Sequence, residues 1–216
     1  MLDHITVGAI ATNCWIIPLG EDGGPGNCVI IDPGADPAVI IARLQRRGLI
    51  PRYILLTHGH FDHIAALPGL VKFWEQEKPK TAVHSLDADH LGDRAYETHI
   101  RDFGAAGSTA YVEELWEDMP EADILLSEGD RIGPFTVLHL PGHSPGSIAF
   151  FNEQEGLLFS GDTLFRGGMG RTDLPGGDGR ALGKSLERLL AMDGNIRVFP
   201  GHGPETSIGT EGPHYR

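Results

Sequence analysis

The sequence predicts a four-layer α/β sandwich, two sheets face to face with helices on both outer sides. Three observations predict it. Strand-like apolar runs and helical segments occur in both halves of the chain, and the second half resembles the first in kind. The chain has 216 residues, 40% of them hydrophobic, enough for one large core and too few for two comfortable ones. Residues 1–216 are therefore expected to form a single domain.

In chain order, residues 2–9, 14–18 and 27–31 read as short strands divided by Gly, Asn and Pro turns, among them "GEDGGPGN". They suggest an antiparallel meander that needs a helix layer to cover it. "DPAVIIARLQRRG" supplies one: Asp36 is placed to cap, Pro37 suits the first helical position, Val39, Ile40 and Leu44 recur at helical spacing, and Gly48 stands where a C-cap belongs. "RYILLT" is then a short buried strand, and "DHIAALPGLVKFWEQEK" a second helical segment interrupted near Pro68. Residues 85–123 are acidic and helix-prone with a weak pattern, and read as a connection between the halves, placed to overhang a site. "FTVLHL", "SIAFF" and "GLLFSG" are strands of the second half, "ALGKSLERLLAM" a helix and "IRVFPG" a last strand.

A net charge of -13, with no window rich in Lys and Arg, argues against a nucleic-acid partner. No run of eighteen apolar residues is present, which argues against a membrane span, and "MLDHITVGAI" lacks the charge and apolar pattern of a signal peptide, so a cytoplasmic location is expected. Cys14 and Cys28 are too few for a disulfide framework and read as small buried hydrophobes. The oligomeric state is left open.

The stretch "THGHFDH", residues 57–63, sets three histidines and an aspartate within six positions of a strand-to-helix loop. At the chain's own His and Asp frequencies the pattern HxHxDH arises in roughly 0.002 of such sequences. Alternation along an extended loop puts His58, His60 and Asp62 on one side, while His63, at the helix start, turns towards a neighbouring point. One loop can thus reach two metal ions. Further candidates stand at strand ends beside Gly or Pro: His143 in "PGHSPG", Asp162 in "SGDTLF" and His202 in "PGHGP". The set is five histidines and two aspartates, all N or O donors.

His4, His84, His90, His99 and His214 stand alone and His139 lies inside a strand, so these read as structural or solvated. Asp32 in "IDPG" either orients a metal-ligating histidine or makes the turn before Pro33. The glycine-rich "FRGGMGRTDLPGGDG" lacks the GxxxxGK[ST] arrangement of a phosphate loop. It reads as a loop shaping the site beside Asp162, with Arg171 and Asp173 supporting the ligands from behind.

The ordered set "THGHFDH", "PGHSPG", "SGDTLF" and "PGHGP", with "VIIDPG" upstream, resembles the metallo-β-lactamase-fold superfamily. Within it the chain is most similar to the short, single-domain glyoxalase II-like (hydroxyacylglutathione hydrolase-like) proteins, over about residues 2–210. The resemblance implies an αββα sandwich with one metal held by His58, His60 and His143, a second by Asp62, His63 and His202, and Asp162 bridging both. It also implies a metal-bound hydroxide, held beside Asp62 and Asp162, as the nucleophile. Two divalent ions carry +4, and two carboxylates and a hydroxide remove three, so a residual charge of about +1 favours a carbonyl oxygen gaining negative charge. Imidazole and carboxylate donors suit zinc, and they also suit iron and manganese.

The reaction this implies is glyoxalase II-type hydrolysis of a small-molecule thioester, S-lactoylglutathione or a related acyl-thiol, to a hydroxy acid and a thiol. A thiolate leaves without needing a proton, and no unligated acid is evident in the motifs. The exported zinc β-lactamases usually carry a cysteine where Asp162 stands and follow a signal peptide. The nuclease branches add domains or insertions for polyanions. Neither pattern matches. The alternative is a persulfide dioxygenase, which shares the fold and a similar "GRTD" segment but uses one iron, here on His58, His143 and Asp162; a lactonase or other ester hydrolase of the fold comes after it. Fourteen residues follow His202, so the C-terminal helical domain that supplies glutathione-binding residues in full-length glyoxalase II is not expected. A different thiol carrier or a broader thioester range is left open. A structural zinc module fits poorly, since such sites are closed and usually cysteine-rich.

Overall fold

The computed structural model describes residues 2–20 and 26–215; most of the "GEDGGPGN" turn, residues 21–25, lies outside them. The first half runs β1 (Asp3–Val7), β2 (Thr12–Pro18), β3 (Asn27–Ile31), α1 (Pro37–Arg47), β4 (Ile50–Leu55), α2 (Phe61–Ile64), α3 (Leu67–Phe73) and β5 (Lys80–His84). Two 3-10 turns, Ser85–His90 and Gly92–Arg94, then lead into α4 (Ala95–Ala105), α5 (Thr109–Leu115) and β6 (Ile124–Leu126). The second half follows with β7 (Arg131–Ile132), β8 (Phe135–His139), β9 (Ile148–Asn152), β10 (Leu157–Gly161) and the small hairpin β11 (Leu164–Phe165) and β12 (Gly168–Met169). It closes with α6 (Gly179–Leu190), β13 (Arg197–Pro200), β14 (Thr206–Ser207) and α7 (Ile208–Glu211).

Among the described residues the long strands form two six-stranded sheets, ordered β1-β2-β3-β4-β5-β6 and β14-β13-β10-β9-β8-β7. The meander β1-β2-β3 is antiparallel, and β3 to β6 are parallel. In the second sheet only β10 and β13 run parallel.

Strand alternation divides the core into layers. Val29 and Ile31 of β3 face inward and pack with Phe135, Phe150, Phe159 and Phe199 of the second sheet. Cys28 and Ile30, between and beside them, face outward and pack under Ile40 and Leu44 of α1, with Phe61 and Leu70 further along. On the far side Leu138, Ala149, Leu158 and Val198 meet Leu182, Leu186 and Leu189 of α6. Burial on both faces explains why "NCVII" and "LLFSG" are nearly unbroken apolar runs. The layers are helix, sheet, sheet, helix, and both cysteines are buried. No helix among the described residues is long and apolar enough to cross a membrane.

Local details differ from expectation for identifiable reasons. The first strand stops at Val7 because Gly8 turns the chain at φ 68°. Asp36 sits at the N-cap position of α1 but does not cap it; with φ 54° its carboxylate instead accepts from the Gly8 N–H at 2.8 Å. Val39 is 49% exposed, so the packed stripe of α1 is Ile40 and Leu44. Gly48 closes the helix in the left-handed conformation.

The topology brings the functional loops together. The ends of β3 and β4 are in register, Ile31 opposite Leu55, so Asp32 emerges beside the 56–60 loop. The ends of β10 and β13 are likewise paired, Gly161 opposite Pro200, so Asp162 and His202 emerge side by side. Ligand-bearing loops at the carboxyl ends of parallel strands are the usual position for a site in α/β sheets. The two sheets are joined there by Ile148 N–H donating to Thr57 C=O at 2.8 Å and Asn13 N–H to Gly201 C=O at 2.7 Å.

Candidate metal centre

All seven residues singled out in the sequence converge on one volume. His58, His60 and His143 form one group, His58, His63 and Asp162 a second, and Asp62, His63 and His202 a third, with the donor atoms of each group within 4.8 Å of one another. The groups share members, so the cluster is continuous. His143 Nε2 lies 3.2 Å from His58 Nε2 and 2.8 Å from His60 Nδ1, and His63 Nε2 lies 3.2 Å from His202 Nε2. Asp162 stands between the halves, 3.6 Å from His143 Nε2, 3.4 Å from His63 Nε2 and 3.5 Å from His202 Nε2.

The outward nitrogens define which way the lone pairs face. Thr57 Oγ1 donates to Asp32 Oδ2 at 2.7 Å, so it accepts from His58 Nδ1 at 3.1 Å. His63 Nδ1 donates to Asp32 Oδ2 at 3.0 Å, and His143 Nδ1 to the Arg171 carbonyl at 2.8 Å. His202 Nδ1 faces the Ala11 carbonyl at 3.4 Å. With these tautomers, assigned from the partners, four Nε2 lone pairs point inward alongside two carboxylates. Asp162 Oδ1 is buried there without a hydrogen-bond partner. Such a donor set repels itself unless a cation sits within it, so the residues present fit a metal site.

The electrostatics carry the same demand for positive charge. Burial opposes protonation of His63, yet the carboxylates of Asp162, Asp62 and Asp32 outweigh it and raise its pKa to about 10. Burial would also raise Asp62, but His63 and His202 hold its carboxyl well below the ordinary value. His58 and His60 are pushed well below the usual histidine range by burial and then by their histidine neighbours.

Asp32 has a place in both the turn and the histidine cluster. It turns the chain with φ 53°, and it accepts from Thr57 N–H at 2.8 Å, Thr57 Oγ1 and His63 Nδ1. Arg171 touches the cluster through its backbone carbonyl, while its guanidinium is held by Asp173 at 2.6 and 2.7 Å. Asp173 is exposed and its carboxylate is spent on that pair, so it is placed beside Arg171 and not against a ligand.

Three features escaped the sequence reading. Asp87 is fully buried and accepts from Gly59 N–H at 3.0 Å, Gly146 N–H at 2.7 Å and Ser144 Oγ at 2.6 Å, locking the His58–His63 loop to the His143 loop. His90 and His99, read as solitary, are buried together. His90 Nε2 meets Asp102 at 2.9 Å, His99 Nε2 donates to the His90 carbonyl at 3.0 Å, and the His90 ring packs 6.0 Å from that of His60. Gly59 makes this approach possible, since a Cβ there would collide with the His90 ring. Asn13 fixes the His202 loop by donating to the carbonyls of Pro200 at 3.1 Å and Gly203 at 2.8 Å. Above the cluster opens a cavity of about 470 Å³, to which α4 contributes Asp102 and Phe103 and the residue after it Ala106, so the 85–123 connection does overhang the site.

A family model described as the metallo-beta-lactamase superfamily matches residues 7–202. Hydroxyacylglutathione hydrolase GloC of Haemophilus influenzae is 36% identical over 217 residues, 97% of this chain and 94% of its own. Among solved structures, TTHA1623 in a di-iron-bound form shares 42% identity at a TM-score of 0.81, covering 97% of this chain and 96% of that one. BLEG-1 B3 metallo-beta-lactamase shares 35% at a TM-score of 0.83, covering 100% and 98%.

Proposed function

The chain belongs to the metallo-beta-lactamase superfamily, and from that premise we propose that it is a binuclear metal-dependent thioester hydrolase of the glyoxalase II type. The observation that carries the reading is the convergence of inward-facing histidine lone pairs and two carboxylates at the floor of an open cavity. His58, His60 and His143 would hold one ion, Asp62, His63 and His202 the other, and Asp162 both. When bound, the ions supply Lewis acidity at the substrate carbonyl and a water acidified to a pKa of about 7.

The chain's own groups do the positioning. Asp32, Thr57 and the Arg171 carbonyl keep the protons of His63, His58 and His143 on their outward nitrogens, which leaves the Nε2 lone pairs free for the metals. The carboxylates of Asp62 and Asp162 face the same volume and can accept a hydrogen bond from a water attacking the carbonyl. Outside the donor set, the ionisable groups lining the cavity among the described residues are Asp102, paired with His90 and Arg101, and Arg171, paired with Asp173. Neither is placed to protonate a leaving group, which suits a thiolate better than an amine or alkoxide. The relationship to GloC supports the same substrate class, and the di-iron form of TTHA1623 supports two ions, with iron as well as zinc suiting the donors.

A second reading, opening of a β-lactam ring, is favoured by the 35% identity to BLEG-1. A mononuclear dioxygenase would leave the complete Asp62, His63 and His202 group without a task. Purified protein assayed in parallel for hydrolysis of S-lactoylglutathione and of an acyl-N-acetylcysteamine thioester, for nitrocefin hydrolysis and for oxygen uptake with glutathione persulfide separates the three. Thioester hydrolysis dominating by at least about 100-fold in kcat/KM is expected; nitrocefin turnover or oxygen uptake without thioester hydrolysis would overturn the assignment.

A further inference from the structure

We propose that the cavity over the candidate metal centre takes an uncharged, apolar arm of the substrate in preference to a charged peptide thiol; this rests on the thioester reading above. The walls come from separate parts of the fold. Ile10 stands on the β1–β2 turn, Phe103 and Ala106 at the end of α4, Phe165 and Met169 on the β11–β12 hairpin, and Leu174 on the loop beyond. Six apolar residues from four segments therefore face one volume of about 470 Å³, a size typical of small-ligand sites.

Two of them are unusual for a wetted surface. Ile10 is 42% exposed and Met169 53% exposed, and both line the same cavity. Large apolar side chains gathered around an opening are where an apolar ligand gains by leaving water. The charge distribution points the same way. Arg171 is the one Lys or Arg lining the cavity among the described residues, and both carboxylate oxygens of Asp173 hold it at 2.6 and 2.7 Å. A peptide thiol bearing carboxylates would have to break that pair or go without a cation, on a chain of net charge -13. An aliphatic or aryl arm, on the acyl or the thiol side of the scissile bond, needs neither.

The test reads binding apart from turnover. Calorimetric titration of the metal-loaded protein with S-methyl-, S-butyl- and S-hexyl-N-acetylcysteamine, thioethers that cannot be hydrolysed, should show affinity rising with chain length. The ceiling is about fourfold per methylene, so hexyl should bind at least about tenfold tighter than methyl. S-methylglutathione should bind no tighter than S-methyl-N-acetylcysteamine. Met169→Asp and, from the opposite wall, Ile10→Asp should each erase the hexyl advantage at unchanged melting temperature. Parallel kinetics with acyl length varied on a fixed thiol, and thiol length varied on a fixed acetyl group, assign the arm to one side. Equal affinity along the alkyl series, or tenfold tighter binding of S-methylglutathione, would overturn the proposal. Chain-length-dependent binding without turnover of any thioester would remove the thioester reading and keep the apolar arm; equal turnover of all thioesters with flat affinities would do the reverse.

Discussion

Asp32 places two oxygens against three donors from a left-handed backbone that costs a non-glycine residue about 1–2 kcal/mol. That cost is offset by what the carboxylate organises, since both the tautomer of His63 and, through Thr57, that of His58 depend on it. Asp32→Asn keeps the shape but presents an NH₂ to one of these donors. It should lower metal affinity or thioester turnover by about 10–100-fold, as read by competition with a chromogenic chelator; unchanged affinity would remove Asp32 from the positioning role. The seven candidate ligands were legible because four lie within one loop and the others each stand beside Gly or Pro after a strand. Asp87 was not, because two of its partners are the backbone N–H groups of Gly59 and Gly146, which no residue letter reports. The pairing of His90 with Asp102 hides for a related reason: it depends on the space above Gly59, a three-dimensional property of a residue that looked like a spacer between two histidines.

At the scale of elements, α4 carries a group with a measurable titration. Burial, and then the neighbouring His90, lower the His99 pKa from about 6.5 to about 3. Between those values the unfolded chain binds a proton that the folded chain refuses, so stability is fully present above about pH 6.5 and is lost as pH falls towards 3. His99→Gln should flatten this part of the pH profile, and urea unfolding at pH 7 and pH 4.5 compares the two proteins; identical slopes would contradict it. Helix α6 is capped by Asp178, whose carboxylate accepts from Arg180 N–H at 2.8 Å and Ala181 N–H at 3.0 Å, so Asp178→Ala should lower the urea midpoint in the same assay. The long strands and α1 and α6 were readable from periodicity. Strands β7, β11, β12 and β14 have two residues each, too few to show any period, and exist because neighbouring strands offer them partners. Asp36 shows the limit of cap rules, its side chain drawn from the helix to the Gly8 N–H.

Across the whole molecule the donor set is shared between halves: His58, His60, Asp62 and His63 follow the first sheet's β4, and His143, Asp162 and His202 follow strands of the second. Ions bound there bind the folded arrangement and not the unfolded chain. At a free metal concentration about a hundred times the dissociation constant each ion would add about 2.7 kcal/mol, or about 5–10 °C in melting temperature, which chelation should remove. Unchanged melting after verified metal removal would count against a centre that joins the halves. The four-layer plan was legible because strand and helix patterns recur in both halves, whereas the apolar cavity was not, because its walls are separated in sequence by the whole fold. The central claim, two ions held by these seven side chains for thioester hydrolysis, is tested most directly by titrating metal-free protein with Zn²⁺ or Fe²⁺ while following bound metal and hydrolysis together. The expected result is activity that rises with the second equivalent and an Asp62→Ala protein that retains about one ion and loses more than about 100-fold in turnover. Full activity at one equivalent, unchanged in Asp62→Ala, would contradict it.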